Sequence, residues 1–145
     1  MKRSAPLVRR TPLERGTTPL ARSRTPRPRR LKRPAMDVGL RHQVYVRAGG
    51  RCDCCGTPLP GDGWHAHHRK LRSRGGTDSL ENLVALLPGH HEWVHAHPAR
   101  ATAIGLMVPS WADPAAVPVR RGERWYLPTG RTWTLTLDPS ETPHV

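Results

Sequence analysis

The chain has 145 residues, a formal net charge of +13 and no phenylalanine. That length supports one domain with tails, and the charge points to a polyanionic partner, nucleic acid foremost. Three cysteines crowded between Cys52 and Cys55 argue against a secreted disulfide framework. No apolar run is long enough to span a membrane, and no apolar signal core follows the basic N-terminus, so the expected setting is the cytoplasm.

The charge is uneven. Residues 1–34 hold twelve Lys and Arg against the single Glu14, whereas the remainder holds twelve against ten acids. Prolines at 6, 12, 19, 26, 28 and 34 block helix, and apolar residues are sparse, so 1–35 reads as a disordered basic Pro/Arg-rich arm. Such an arm touches phosphates without sequence preference, and its affinity falls as salt rises; a solubilising or partner-binding tail is the competing reading. Residues 37–48 are a predicted helix, with Asp37 as N-cap, Leu40 and Val44 buried together with Val46 or Arg47, and Gly49-Gly50 as the stop. Cys52 and Cys55 then have the C-x-x-C spacing that brings two thiolates to one ion, with Cys54 left as a free thiol. A pair of small buried residues or a redox pair is the alternative, but no βαβ pattern surrounds it.

Residues 57–63 form a Pro- and Gly-rich loop. Trp64 to His68 alternates as a short strand does, with Trp64, Ala66 and His68 on one face and His65 and His67 on the other. The following stretch is basic and then Gly-rich, a loop that can approach a phosphate backbone through Arg69, Lys70, Arg72 and Arg74, and Ser79 is placed to cap the next turn. Leu83, Val84, Leu86 and Leu87 are expected in the core. Gly89 to His97 has helical spacing up to Pro98, and Ala99 to Ala103 extends to a further helical turn. Beyond it, 105–108, 117–119, 124–127 and 132–137 read as short strands of a β appendage, with Trp111, Trp125 and Trp133 as packing residues and a frayed end over 138–145. The expected organisation is an arm over 1–35, a site domain over 36–100 and a C-terminal β-rich extension over 101–145.

Seven of the nine histidines lie between Trp64 and Pro98. Imidazole is the commonest metal ligand and a general base near neutral pH. Hydrolysis of a phosphodiester needs a deprotonated nucleophile, charge neutralised on the phosphoryl group and a stabilised leaving alkoxide, which a base and one divalent ion together supply. His91 and His95, four apart on a helix, project from one face and suit one ion. His67 completes a three-ligand set. His68 leaves the strand on the opposite side, beside the ion without binding it, free to take a proton. His97 falls on another helix face as a packing residue, His65 is at most an accessory phosphate contact, and His42 and His144 are solvated.

The ordered set of a helix, Cys52-x-x-Cys55-Gly56, His67-His68 on a strand, Gly75-Gly76-Thr77-Asp78, Asn82-Leu83-Val84 and His91-x-x-x-His95 resembles the HNH endonucleases over about residues 37–98. The resemblance implies an α+β class with the ββα-metal (His-Me finger) core, a two-stranded hairpin and a following helix. It implies His68 as general base, His67, His91 and His95 as metal ligands, and Asn82 as the residue that orients the base-bearing segment. The ion implied is Mg²⁺, Mn²⁺, Ni²⁺ or Zn²⁺, the partner DNA, and the product a nick or a double-strand break. Many members carry a second C-x-x-C before the helix; here Leu87 and His90 stand there, so the structural zinc set implied is Cys52, Cys55 and His90. The wording from His90 to Pro98 is similar to that of small HNH proteins of actinobacterial phages, which implies a host-cytoplasm setting and a terminase subunit as partner in genome packaging. A non-catalytic nucleic-acid-binding module and a zinc-stabilised assembly protein are the competing readings; the intact His67, His68, Asn82, His91 and His95 set favours the enzyme.

Overall fold

The computed structural model describes residues 35–141. The expected basic arm, apart from Ala35, lies outside the described residues, as does His144. Helix α1 (Val38–Arg47) starts where the Asp37 carboxylate accepts the Leu40 amide hydrogen at 2.8 Å, satisfying one orphan donor of the first turn. It ends before Gly49 and Gly50, both at φ +65°, a left-handed conformation that costs glycine little and other residues more. Val44 and Arg47 face inward while Val46 is 60% exposed. The arginine takes the inward place because its guanidinium reaches the carbonyls of Leu80 and Leu83 and lies 4.3 Å from the Trp133 ring centroid.

The strands β1 (His65–His68) and β2 (Leu83–Leu86) pair antiparallel, His67 opposite Val84 and His68 opposite Leu83. All four residues of β2 are buried. Leu87, expected beside them, is half-buried because it is the N-cap of α2 (Pro88–Ala96). Pro88 opens that helix, where a missing amide hydrogen costs nothing. The helix breaks at His97, and α3 (Pro98–Ala103) follows at once. This is an α+β arrangement, with a hairpin and a following helix at its centre.

Beyond α3 the expectations need correction in four places. Residues 105–108 form a buried turn and not a strand. Their amides are already committed: Leu106 and Met107 donate to the Ala101 carbonyl and Val108 to the Arg69 carbonyl, at 2.8 to 3.0 Å, which leaves none for a ladder. Trp111, expected to pack, is 86% exposed. Pro139–Glu141 forms a short 3-10 turn closed on Asp138, where fraying was expected. The strand expected over 117–119 instead begins at Val119, as β3 (Val119–Arg121), while those over 124–127 and 132–137 are present as β4 (Arg124–Thr129) and β5 (Thr132–Thr136); the three form an antiparallel sheet in that order. It meets the core through Trp133, whose ring carries both Arg47 and, at 4.8 Å, Arg121.

Gly76 closes the loop between the hairpin strands by donating to Leu71 at 3.0 Å, and a Cβ there would lie 1.7 Å from the Lys70 carbonyl oxygen and 2.9 Å from Asn82 Nδ2. Gly89, on α2, has nothing within 4 Å of the same added atom. Gly76→Ala is therefore expected to lower stability by about 2 kcal/mol or more, and Gly89→Ala to raise it by about 0.5 kcal/mol. Urea unfolding of the two variants measures this; indistinguishable midpoints would contradict the close approach at Gly76.

Candidate metal centre and active site

The pleat of β1 separates two adjacent histidines. His67 turns inward and is 2% exposed, while His68 turns to the hairpin's other side. His91 and His95, one turn apart on α2, come to the same place as His67: one nitrogen from each of the three lies within 4.8 Å of the others. His67 meets the two helix rings edge-on, at 5.3 and 5.2 Å between centroids. The Nε2 atoms of His91 and His95 are 3.3 Å apart. Two imidazole nitrogens bound to one tetrahedral ion at roughly 2.0–2.1 Å would be separated by about 3.3 Å, so the spacing suits a shared ion. Burial, and then the neighbouring His91 and His95, hold His67 down at about 3, and burial lowers His91 in the same way. Low proton affinity leaves lone pairs available to a cation at neutral pH. His65 stacks on His91 at 4.7 Å with ring planes 13° apart. His97 stacks on Trp93 at 5.3 Å, away from the cluster.

His68 belongs to a different set. Its Nε2 lies 2.7 Å from Asp78 Oδ1, and Arg72 Nε lies 3.1 Å from that nitrogen and 2.9 Å from the same oxygen. The carboxylate is the strongest acceptor present, so both hydrogens converge on it. Hydrogen bonds from Arg72 and then His68 hold the Asp78 carboxyl below the usual carboxylate range. With Nε2 as donor, His68 keeps its lone pair on Nδ1. Asn82 is buried beneath this loop. Its Oδ1 accepts from the Lys70 amide at 2.7 Å, and its Nδ2 donates to the carbonyls of Lys70 and Thr77 at 3.0 and 2.9 Å. The side chain thus ties the residues just after His68 to those just before Asp78. Nothing in sequence spacing assigned Asp78 to His68; the loop has to close first.

The cysteine pair and His90 form a second cluster, again with one ligand atom each within 4.8 Å. Cys52 Sγ and His90 Nδ1 are 3.5 Å apart, against about 3.6 Å for a thiolate and an imidazole on one tetrahedral zinc. Burial pushes the Cys52 thiol up, while the backbone N–H groups of Leu87, Cys55 and Cys54 pull it down. Cys54 is pushed up to about 11 by burial and the adjacent acidic groups, which keeps it an inert thiol.

Of the four residues expected to reach nucleic acid, Arg69 requires correction. It is 0% exposed, and its guanidinium donates to backbone carbonyls, among them Gly105 at 2.7 Å and Val117 at 2.6 Å. A charge run suggests a solvated face, but β1's alternation carries on past its end, so Arg69 turns inward after His67. Lys70 Nζ donates to the Ala112 carbonyl at 3.3 Å and Arg72 is paired with Asp78. Arg74 is exposed.

Metal addition should stabilise both clusters. With free Zn²⁺ about a hundredfold above its dissociation constant, each occupied site adds about 2.7 kcal/mol. His91→Ala with His95→Ala is expected to remove one part of the rise in melting temperature, Cys52→Ser with Cys55→Ser the other, and EDTA all of it. Calorimetric melts with no zinc dependence would refute both sites.

Among the described residues no helix is long and apolar enough to cross a membrane. Comparison with curated proteins and with solved structures gave no match. The family model described as HNH endonuclease matches residues 52–91, which run from the cysteine pair through β1, Asn82 and β2 to His91 on α2. Over residues 52–91 the chain is thus similar to the HNH endonucleases, a family of nuclease type, and beside and within that stretch lie two clusters of side chains that could hold a metal ion.

Proposed function

We propose that this protein is a metal-dependent endonuclease that hydrolyses DNA phosphodiester bonds, with His68 as general base and His67, His91 and His95 as the ligands of a single divalent ion. The observation that carries the reading is the division of labour at the hairpin. His68 is adjacent in sequence to His67 yet outside the three-histidine cluster, with its Nε2 occupied by Asp78. A histidine held in that way offers Nδ1 to the proton of a water molecule, and the imidazolium it becomes is stabilised by a carboxylate already in place. Asn82 restrains both ends of the loop that brings Asp78 back to His68. The ion, Mg²⁺, Mn²⁺, Ni²⁺ or Zn²⁺, supplies charge neutralisation at the phosphoryl group and at the leaving oxygen when bound. We assign Cys52, Cys55 and His90 to a separate structural zinc. Its donor set of two thiolates and an imidazole is softer than the all-imidazole set.

On this reading residues 36–100 are the catalytic domain, 101–145 its β-rich extension, and 1–35 a basic arm that adds phosphate contacts in a cytoplasmic setting. Arg74, exposed on the loop beside His68, is the best placed of the loop arginines to meet the backbone of DNA. The wording from His90 to Pro98 supports a place beside a terminase subunit in phage genome packaging.

Supercoiled plasmid incubated with Mg²⁺, Mn²⁺ or Ni²⁺ should be nicked by the wild type. His68→Ala should slow nicking about 10²- to 10⁴-fold while leaving the metal-dependent melting shift in place, and EDTA should stop it. Wild type and His68→Ala that are equally inert with all three ions would leave only the binding-module or assembly readings. Deleting residues 1–34 is expected to weaken DNA binding and flatten the slope of log affinity against log salt, since each phosphate contact contributes about −0.9 to that slope. Turnover at low salt should survive. Loss of all cleavage by a folded deletion variant would place the arm within the site.

A further inference from the structure

His67 makes one polar contact that the hairpin and helix do not provide. Its Nε2 lies 3.1 Å from the carbonyl oxygen of Leu106, in a fully buried position. A carbonyl oxygen cannot donate, so the nitrogen facing it carries the hydrogen and the lone pair is left on Nδ1. Leu106 stands beyond α3 and outside the residues that match the HNH model. What fixes its carbonyl is Arg69, two residues after His67 on the other side of His68.

The Arg69 side chain is wholly buried, and the oxygens it meets belong to the backbone: Gly105 from Nε at 2.7 Å, Glu81 and Pro114 from one terminal nitrogen at 3.2 and 2.9 Å, Val117 and Pro118 from the other at 2.6 and 3.4 Å. Its own carbonyl accepts from Val108 at 2.8 Å. Residues 105 and 108 are thus both attached to Arg69, on either side of Leu106. The crossing is tight: Gly105 sits at φ +73°, and a Cβ there would lie 1.8 Å from the Pro118 carbonyl oxygen.

We infer that the segment 105–118 is part of the metal centre. Arg69 is the positioning residue that seats the Leu106 carbonyl against His67, and this contact fixes His67 as the Nε2–H tautomer so that it binds metal through Nδ1. The inference rests on the reading of His67, His91 and His95 as ligands. Partners that orient a ligating histidine commonly change metal affinity 10- to 100-fold when removed.

The full chain with isotope-labelled histidine tests it. Long-range proton–nitrogen spectra report which ring nitrogen carries hydrogen and which shifts as Zn²⁺ is added. The expected result is a His67 hydrogen on Nε2 before zinc, and Nδ1 as the shifted nitrogen after it. Hydrogen on Nδ1, or Nε2 as the ligand, overturns the inference. Arg69→Lys keeps the charge and loses the fork. Its zinc affinity, followed through the His91 and His95 resonances so that the thiolate cluster does not interfere, should fall about 10- to 100-fold. A folded Arg69→Lys protein with wild-type affinity overturns the role of Arg69; if that variant does not fold, the wild-type spectra decide alone. Wild type that binds zinc through Nδ1 but never nicks plasmid would remove the nuclease reading and leave this one standing. Nicking with Nε2 ligation would do the reverse.

Discussion

A buried guanidinium that makes no ion pair among the described residues is the constraint on which the rest of this structure depends. Removing Arg69 from water costs several kcal/mol, on the order of the penalty for any buried ion. Burial pulls its guanidinium down to about 9, still protonated at neutral pH. Hydrogen bonds to a charged donor contribute roughly 1.5–3 kcal/mol each, and Arg69 donates to five carbonyls from three stretches of chain. The cost is therefore offset only when those three stretches are all in place. The interaction is cooperative by construction, and it welds the loop after β1 to the chain beyond α3.

Three consecutive residues show what strand direction does to chemistry. His67, His68 and Arg69 differ little in polarity, yet they meet three environments. The first is buried at the base of a cluster of imidazoles, the second lies beside an exposed carboxylate, and the third in a cage of carbonyls. A one-residue slip of register would exchange all three roles. The pairing of His67 with Val84 and His68 with Leu83 prevents it, because β2 is apolar throughout and entirely buried.

A second clamp secures the cysteine loop. Asp53, between the two metal-spaced cysteines, is fully buried. Its amide donates to the Ala85 carbonyl at 2.8 Å, and its Oδ2 accepts from the Ala85 amide at 2.8 Å. Its other oxygen is 2.8 Å from Arg121 Nε, on β3. Arg121 and Arg47 both lie against Trp133, where a cation over an indole face gains up to about 2 kcal/mol when desolvated. The loop is thus attached to β2 by protein groups alone. The loop's position therefore does not depend on a fourth metal ligand.

Much of this was legible from local pattern. The Asp37 cap, the Gly49-Gly50 stop, the alternation through His68, the four-residue spacing of His91 and His95 and the C-x-x-C pair are short-range features, and short-range geometry depends on only a few dihedrals. The sequence by itself therefore determined the elements of the hairpin and its flanking helices, and the faces on which His67, His68, His91 and His95 lie. Tertiary structure alone decided what those faces meet. Arg69 read as a phosphate contact because charge density carries no direction. Residues 105–108 read as a strand because their apolar run does not disclose that their amides are already taken. The contacts of His68 with Asp78 and of His67 with Leu106 join residues 10 and 39 positions apart. Such contacts arise from loop closure and packing, for which a linear pattern has no period.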